Sequence, residues 1–206
     1  DSGYGGFYQD VDQSARPLHS DDKKTAYGNA FAIYGLSAFY EVSGDSTALH
    51  LAKETFHWLE KNSHDAIHKG YFQDLARDGK VLQRNDSTPE NITIGYKDYN
   101  SSIHLLEAFT ELYKIWPDTL VRSRLSEMYH LVKDTMINDQ QYLDMYFEPN
   151  WKHVTFQGRD SQTIRKYFSI DHVSFGHDIE TAYLLLEAAQ ALGIPDNAAL
   201  HDELRM

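Results

Sequence analysis

Residues 174–189 read SFGHDIETAYLLLEAA, and this stretch predicts a helix with a polar first turn and an apolar remainder. Ser174 stands at the position of an N-cap, and the apolar residues from Ile179 onward recur at helical spacing. The glycine and proline in residues 193–195 then end the pattern. The sequence therefore predicts one long helix over residues 174–192.

The first turn of this helix carries His177 and Glu180, which are three residues apart and share one face. An imidazole beside a carboxylate at a helix N-terminus can accept and donate protons. The alternative is an ordinary polar helix start, although Glu180 does not follow Ser174 at the capping-box spacing. Patterns elsewhere in the sequence are needed to choose between these two interpretations.

The composition of the 206-residue chain indicates a single folded domain over residues 1–206. Hydrophobic residues make up 41% and aromatic residues 13%, which suits a packed core and also sites for sugars. The formal net charge of -12 opposes nucleic-acid binding, which needs a basic surface. The absence of cysteine excludes disulfides and thiolate metal sites, and no apolar run approaches the roughly 18 residues of a membrane span.

The chain contains a repeat whose units end in an aspartate, at Asp45, Asp118 and Asp196, in steps of 73 and 78 residues. Between these positions, aromatic hairpin signals recur at residues 5–10 (GGFYQD), 69–74 (KGYFQD) and, more loosely, 144–148 (DMYFE). Two helical patterns per unit fit an array of helical hairpins in which each unit buries its apolar face against its neighbours.

The predicted helices span residues 24–42, 47–61, 101–116, 120–136 and 174–192, and a further helix opens at Asn197. Residues 77–98 are polar and are predicted to form a long loop. The first helix of each pair is expected inside, because it is more apolar and rich in small residues, namely Ala30, Ala32, Gly35, Ala38, Ala182, Ala188, Ala189 and Ala191. We predict an all-α fold that forms part of an α/α toroid.

Alignment of the repeats brings polar residues to equivalent positions near the N-termini of the inner helices. Tyr27 falls on Asn100, and Tyr99 falls on His177. If the inner helices stand in a ring, their first turns share one rim. The side chains expected at this rim are Tyr27, Asn100, His104, His177 and Glu180.

Such a rim has a definite chemistry. Several helix N-termini offer unpaired N–H groups and positive partial charge, which favour an anion. A histidine there can remove a proton beside a carbonyl, and the rim can stabilise the resulting enediolate. A carbohydrate-binding or scaffold protein without catalytic activity remains the alternative of a different class.

A metal site is not expected. His104 and Glu107 repeat the His-x-x-Glu spacing, but the sequence offers no strong set of ligands around them. The other histidines are predicted to be solvated in loops or on outer helices, namely His19, His50, His57, His64, His68, His130, His153 and His201.

Three motifs carry a resemblance to a known family: KTAYGNAFAIY at residues 24–34, NSSIHLLEAF at 100–109 and SFGHDIE at 174–180. In this order they resemble the N-acylglucosamine 2-epimerase superfamily, and most closely its cellobiose 2-epimerase branch. The resemblance covers nearly the whole chain. It implies an (α/α)6 barrel, of which residues 1–206 form the central part.

The resemblance also implies roles for the rim residues. His177 matches one of two catalytic histidines, and Glu180 matches the carboxylate that assists it. His104 matches a histidine that helps to open the sugar ring and holds O1, while Tyr27 and Asn100 match residues that line the pocket. The implied reaction removes the C2 proton of the ring-opened reducing-end sugar and returns it to the other face of a cis-enediolate. No metal or redox cofactor is implied.

The chain also departs from the family pattern. An arginine in the first repeat and the second catalytic histidine with its tryptophans have no counterpart, so we expect the 206-residue chain alone to be inactive. Asp98 is the candidate for a substrate-binding aspartate before the second inner helix, and Tyr183 stands where a tryptophan is usual. The second motif reads Asn-Ser-Ser-Ile-His rather than Asn-Thr-His-Leu-His, so the substrate can differ from cellobiose.

The leading prediction is therefore a sugar 2-epimerase that acts on the reducing-end glucose of a β-1,4-linked disaccharide. An aldose–ketose isomerase of the mannose–fructose type shares the enediolate and stays open as an alternative. The expected partner is a small sugar rather than nucleic acid or membrane, and the expected compartment is the cytoplasm.

Overall fold

The computed structural model describes residues 1–18, 23–84 and 92–195. The helices are α1 (Ala26–Ser43), α2 (Ser46–Asn62), α3 (Tyr99–Ile115), α4 (Thr119–Leu131), α5 (Ser161–Lys166) and α6 (Phe175–Leu192). Two-residue strands are β1 (Lys24–Thr25), β2 (Asp74–Leu75), β3 (Lys97–Asp98) and β4 (Tyr146–Phe147). A π-helical turn (Val132–Met136) continues α4, and a 3₁₀ turn (Phe168–Ile170) follows α5.

The five long helices predicted in these ranges are confirmed, with their boundaries close to the predicted ones when the π-helical turn is counted with α4. The helix predicted from Asn197 lies outside the described residues, and so do residues 85–91 of the predicted loop. Within the described ranges, no helix combines the length and the hydropathy needed to cross a membrane.

Helix α3 is the centre of the fold, because it packs against α1, α4 and α6. Its side chains Ile103, Leu106 and Phe109 are fully buried. Helix α2 packs against α1 in the same way that α4 packs against α3, so each pair has an inner and an outer member. This arrangement confirms the predicted stack of helical hairpins.

The small residues of the inner helices are buried only in part. Ala30 in α1 and Ala188 and Ala189 in α6 lie in the core. Gly35 and Ala38 are exposed, so the prediction that small residues pack closely is wrong for these two. Helix α6 also exposes an apolar stripe, which consists of Phe175, Ile179 and Tyr183.

Side-chain caps explain the repeated aspartates. Asp45 accepts a hydrogen bond from the backbone N–H of Thr47 at the start of α2, and Asp118 caps α4 in the same way. Asp196 lies outside the described residues. Helix α6 has no such cap, because the side chain of its N-cap residue, Ser174, makes no capping hydrogen bond. The prediction that Ser174 caps this helix is therefore wrong for its hydroxyl group.

Short antiparallel strand pairs position the first turns of α1 and α3. Strand β1 pairs with β2, and β3 pairs with β4, at the hairpins that the aromatic signals predicted. The first N–H of α1, on Ala26, donates to the carbonyl of Gln73 over 2.9 Å, and that of Tyr99 in α3 donates to Met145 over 3.0 Å. Each of these inner helices therefore begins at a fixed point on its hairpin.

Candidate active site

His104 in α3 packs against two aromatic rings of α1. The ring centroid of Tyr27 lies 5.2 Å away in an edge-on arrangement, and that of Phe31 lies 4.7 Å away. The Nδ1 atom of His104 lies 3.0 Å from a carboxylate oxygen of Glu107, one turn along the same helix. A carboxylate in this position favours a proton on Nδ1 and leaves Nε2 as the nitrogen that can meet a ligand.

His177 in the first turn of α6 is held from a different direction. Its Nδ1 atom lies 2.9 Å from the hydroxyl oxygen of Tyr99 and 2.6 Å from that of Ser174. The rings of Tyr99 and His177 meet edge-on, with centroids 4.9 Å apart. The first residue of α3 therefore contacts the first turn of α6.

These contacts place three helix N-termini at one end of the fold. Tyr27 is the second residue of α1 and contacts α3, while Tyr99 is the first residue of α3 and contacts α6. Asn100 follows Tyr99 and is partly exposed. The structure thus brings Tyr27, Asn100, His104 and His177 to the rim that the repeat alignment predicted.

Several polar groups at this rim have no partner among the residues that the structure describes. They are the Tyr27 hydroxyl, the Asn100 side-chain amide, Nε2 of His104, Nε2 of His177 and the carboxylate of Glu180. Glu180 lies one turn from His177 and is partly buried, but the two side chains form no hydrogen bond. A hydroxylated ligand can satisfy groups that are arranged in this way.

Asp98 lies beneath the rim and holds the start of α3. It is 4% exposed, and its two carboxylate oxygens accept hydrogen bonds from the backbone N–H and the hydroxyl of Ser101, over 2.7 and 2.6 Å. Burial raises the pKa of Asp98 to about 6, although the hydrogen bonds from Ser101 oppose the shift. Because both oxygens are engaged, contact between Asp98 and a sugar stays a prediction.

A family model described as N-acylglucosamine 2-epimerase (GlcNAc 2-epimerase) matches residues 1–203. The chain belongs to the N-acylglucosamine 2-epimerase family. A cellobiose 2-epimerase of Bacteroides fragilis is 34% identical over 194 residues, which are 94% of this chain and 45% of that protein. The chain spans about half the length of the curated relatives that it matches.

Solved structures of other proteins share the fold. A cellobiose 2-epimerase from Bacillus thermoamylovorans superposes with a TM-score of 0.81 at 27% identity, over 99% of this chain and 48% of that chain. A D-mannose isomerase shares the fold at 16% identity, with a TM-score of 0.66 over 93% of this chain and 43% of that chain. The resemblance drawn from the three motifs is therefore confirmed, and the helices form part of an (α/α)6 barrel.

The structure adds three residues to the family's expected site, namely Tyr99, Ser174 and Glu107. The repeat alignment already placed Tyr99 at the position equivalent to His177, which could have indicated their contact. The sequence indicates a helix cap at Ser174 and offers Glu107 only as a weak candidate for a metal ligand. Within the described ranges, no group of three or more His, Asp or Glu side chains could hold a metal ion.

The prediction that the other histidines are solvated is wrong for His64. Its side chain is 5% exposed, and Nε2 lies 2.8 Å from a carboxylate oxygen of Glu127 in α4. This pair joins the end of the first helical hairpin to the second. His19 and His201 lie outside the described residues.

Proposed function

We propose that the protein carrying this chain is a sugar 2-epimerase, which converts the reducing-end glucose of a β-1,4-linked disaccharide to mannose. Membership of the N-acylglucosamine 2-epimerase family supports this, and so do relatives that are named cellobiose 2-epimerases. The proposal goes beyond these similarities in the substrate, in the mechanism and in the residues that carry it.

The main support for the proposal is the way in which the two ring nitrogens of His177 are placed. Its Nδ1 atom is engaged by two hydroxyl groups, while Nε2 has no partner among the described residues and lies in the first turn of α6. A general base needs this arrangement: one nitrogen held in place and the other free to meet the substrate. The neighbouring helix N-termini add positive partial charge where an anion forms.

In the proposed reaction, Nε2 of His177 removes the C2 proton of the ring-opened sugar. The C2–H electron pair forms the C1–C2 double bond, and the C1 carbonyl oxygen takes the negative charge of the cis-enediolate. His104 holds this oxygen when both of its ring nitrogens carry protons: Nδ1–H donates to Glu107, and Nε2–H donates to the oxygen. Rotation about C2–C3 then presents the opposite face, and a second acid returns a proton to C2.

The other rim residues are proposed to hold the sugar. The Tyr27 hydroxyl and the Asn100 amide can donate hydrogen bonds to sugar oxygens, and the Glu180 carboxylate can accept one from a hydroxyl group. Glu180 also places a carboxylate one turn from His177, where the imidazole takes up the C2 proton. Removal of the C2 proton and its return both depend on where C2 lies relative to the acid–base groups. The sugar therefore has to be fixed before the proton moves.

The test is the full-length protein incubated with cellobiose in heavy water and followed by NMR. We expect deuterium at C2 and a product with mannose at the reducing end, and we expect His177→Ala to abolish both. His130→Ala is the matched control, because His130 is exposed on the outer helix α4. A ketose product would identify an aldose–ketose isomerase instead, and sugar binding without C2 exchange would identify a non-catalytic carbohydrate-binding protein.

A further inference from the structure

Ser174 differs from the N-cap residues of helices α1 to α5. In the described part of the chain, α1 to α5 each begin with a side chain that accepts a hydrogen bond from the first turn: Thr25, Asp45, Asp98, Asp118 and Asp160. Ser174 is a residue type well suited to this task, yet its hydroxyl makes no such bond. It lies 2.6 Å from Nδ1 of His177 instead. The loss of a capping hydrogen bond beside a reactive side chain indicates that the hydroxyl serves a function there.

Tyr99 supplies a second hydroxyl to the same nitrogen. Its oxygen lies 2.9 Å from Nδ1, it also contacts the hydroxyl of Ser174, and the residue is 5% exposed. Burial raises the pKa of the Tyr99 hydroxyl, and the negative charges of Asp98 and Asp178 add to this. Tyr99 therefore keeps its proton at neutral pH, and both groups around Nδ1 are neutral hydroxyls.

A hydroxyl partner differs in its chemistry from a carboxylate partner. His104 faces the carboxylate of Glu107, which holds the Nδ1 proton and adds a negative charge. His177 faces oxygens that can either accept or donate a hydrogen bond. Such oxygens fix the plane of the ring in both of its protonation states. They do so without a fixed charge on a group that has to release its proton again.

We propose that Tyr99 and Ser174 are positioning residues for His177. Together they accept the Nδ1 proton and fix the ring, so that the lone pair of Nε2 points to the sugar. This inference rests on the proposed epimerase function and extends it, because it assigns to two hydroxyl groups the orientation of the base. It also explains why Ser174 gives up its place as a helix cap.

The kinetic test uses Tyr99→Phe, Ser174→Ala and the double variant in the full-length protein. We expect each single variant to lower kcat by about 10- to 100-fold, because a slightly misplaced base costs rate, with KM changed by less than about threefold. Since both hydroxyls act on one atom, the double variant should lose about as much as the worse single variant. Ser174→Thr keeps the hydroxyl and should keep most of the activity.

The controls remove the same groups at the opposite end of an inner helix. Tyr40 and Ser43 lie at the C-terminal end of α1, where the Ser43 hydroxyl donates to the carbonyl of Phe39 and accepts from the backbone N–H of Asp45, so the controls are Tyr40→Phe and Ser43→Ala. Both should have wild-type kcat. Losses that multiply in the double variant, or kcat within about twofold of wild type in both single variants, would overturn the positioning role.

A spectroscopic test is independent of turnover. With ¹⁵N-labelled histidine, the His177 signals can be assigned by their loss in His177→Ala, and their shifts report which nitrogen carries the proton. We expect the Nδ1–H tautomer in the wild type and a shift towards Nε2–H in Tyr99→Phe and Ser174→Ala. Unchanged tautomers overturn this inference even if the enzyme is an epimerase. A wild type without C2 exchange overturns the proposed function instead.

Discussion

The ammonium group of Lys97 lies 2.8 Å from the carboxylate of Asp65, and both side chains are buried. The same nitrogen donates to the backbone carbonyls of Lys69 and Pro149, over 2.6 and 2.8 Å. Lys97 also precedes the capping residue of α3 by one position. A single buried cation therefore ties two hairpin loops to the strand that leads into the central helix.

Replacement of Lys97 by methionine should lower the free energy of unfolding by about 3–5 kcal/mol. The substitution leaves the Asp65 carboxylate buried without its cation and removes one donor from each of two carbonyl groups. Urea unfolding at pH 7 measures the loss. Lys80→Met is the matched control, since Lys80 pairs with Asp78 in solvent and exposed pairs of this kind contribute little to stability. Equal losses in the two variants would contradict this account of Lys97.

The Asp65–Lys97 pair should also depend on pH. Burial opposes ionisation of Asp65, but hydrogen bonds from Lys97 and from the backbone of His68 and Ile67 outweigh it and lower the pKa of Asp65 to about 2. In the unfolded chain an aspartate has a pKa of about 3.9, so the pair's contribution is complete above about pH 4 and is lost as pH falls towards 2. The difference in stability between wild type and Lys97→Met should therefore shrink on acidification, and a constant difference would contradict the assignment.

The helices and their order could be predicted from the sequence because their signals are local. Apolar spacing marks each helix, and the glycine at 193 adopts a left-handed conformation, with φ of 71°, as a helix-ending residue should. The capping aspartates at 45 and 118 produced the repeat that revealed paired helices. The residues proposed for the candidate site followed from the same repeat, because equivalent positions on parallel inner helices meet at one end.

The partners of those residues could not be predicted, because they depend on distances between helices. Nothing in the sequence shows that the Ser174 hydroxyl turns away from the helix backbone towards His177, or that Lys97 is buried. Lysine is almost always solvated, and Lys97 departs from this only because an aspartate and two carbonyl groups converge on it. The sequence therefore indicates which side chains to consider, but it does not indicate which side chains contact one another.

Asp98→Asn should flatten the dependence of stability on pH between about 4 and 6. Burial raises the pKa of Asp98 to about 6, so the folded protein holds this proton more tightly than the unfolded chain, whose aspartates have a pKa of about 3.9. Stability therefore falls as pH rises through that window, and an asparagine removes this slope while it still caps α3. Urea unfolding at several pH values measures the effect.

The control for Asp98 is Asp118→Asn, which makes the same substitution at the cap of α4. An unchanged slope in Asp98→Asn would refute the assignment. The same variant also tests the predicted sugar contact. A large rise in KM would place Asp98 against the sugar, whereas a change of less than about twofold would leave it the residue that holds Ser101 and the start of α3.

Glu107→Gln should lower kcat/KM about tenfold or more, because His104 loses the carboxylate that accepts from Nδ1–H while Nε2–H donates to the sugar oxygen. Steady-state kinetics on cellobiose measure the effect. Asp134→Asn is the matched control, since Asp134 lies 2.9 Å from His130 in an equally close but exposed pair on the outer helix. Unchanged kinetics in Glu107→Gln would show that His104 does not depend on its partner.

Glu180→Gln should lower kcat by about 100-fold or more with the fold intact, since assistance to an acid–base residue contributes on that scale. The carboxylate lies one turn from His177, is partly buried and has no partner among the described residues, so its charge is available to the sugar and to the protonated imidazole. Glu187→Gln is the control on the same helix, because Glu187 lies two turns further on and faces Lys114 at 3.9 Å. Deuterium exchange at C2 shows whether Glu180 acts in proton removal. If it does, exchange slows together with epimerisation. Exchange at the wild-type rate would exclude Glu180 from that step.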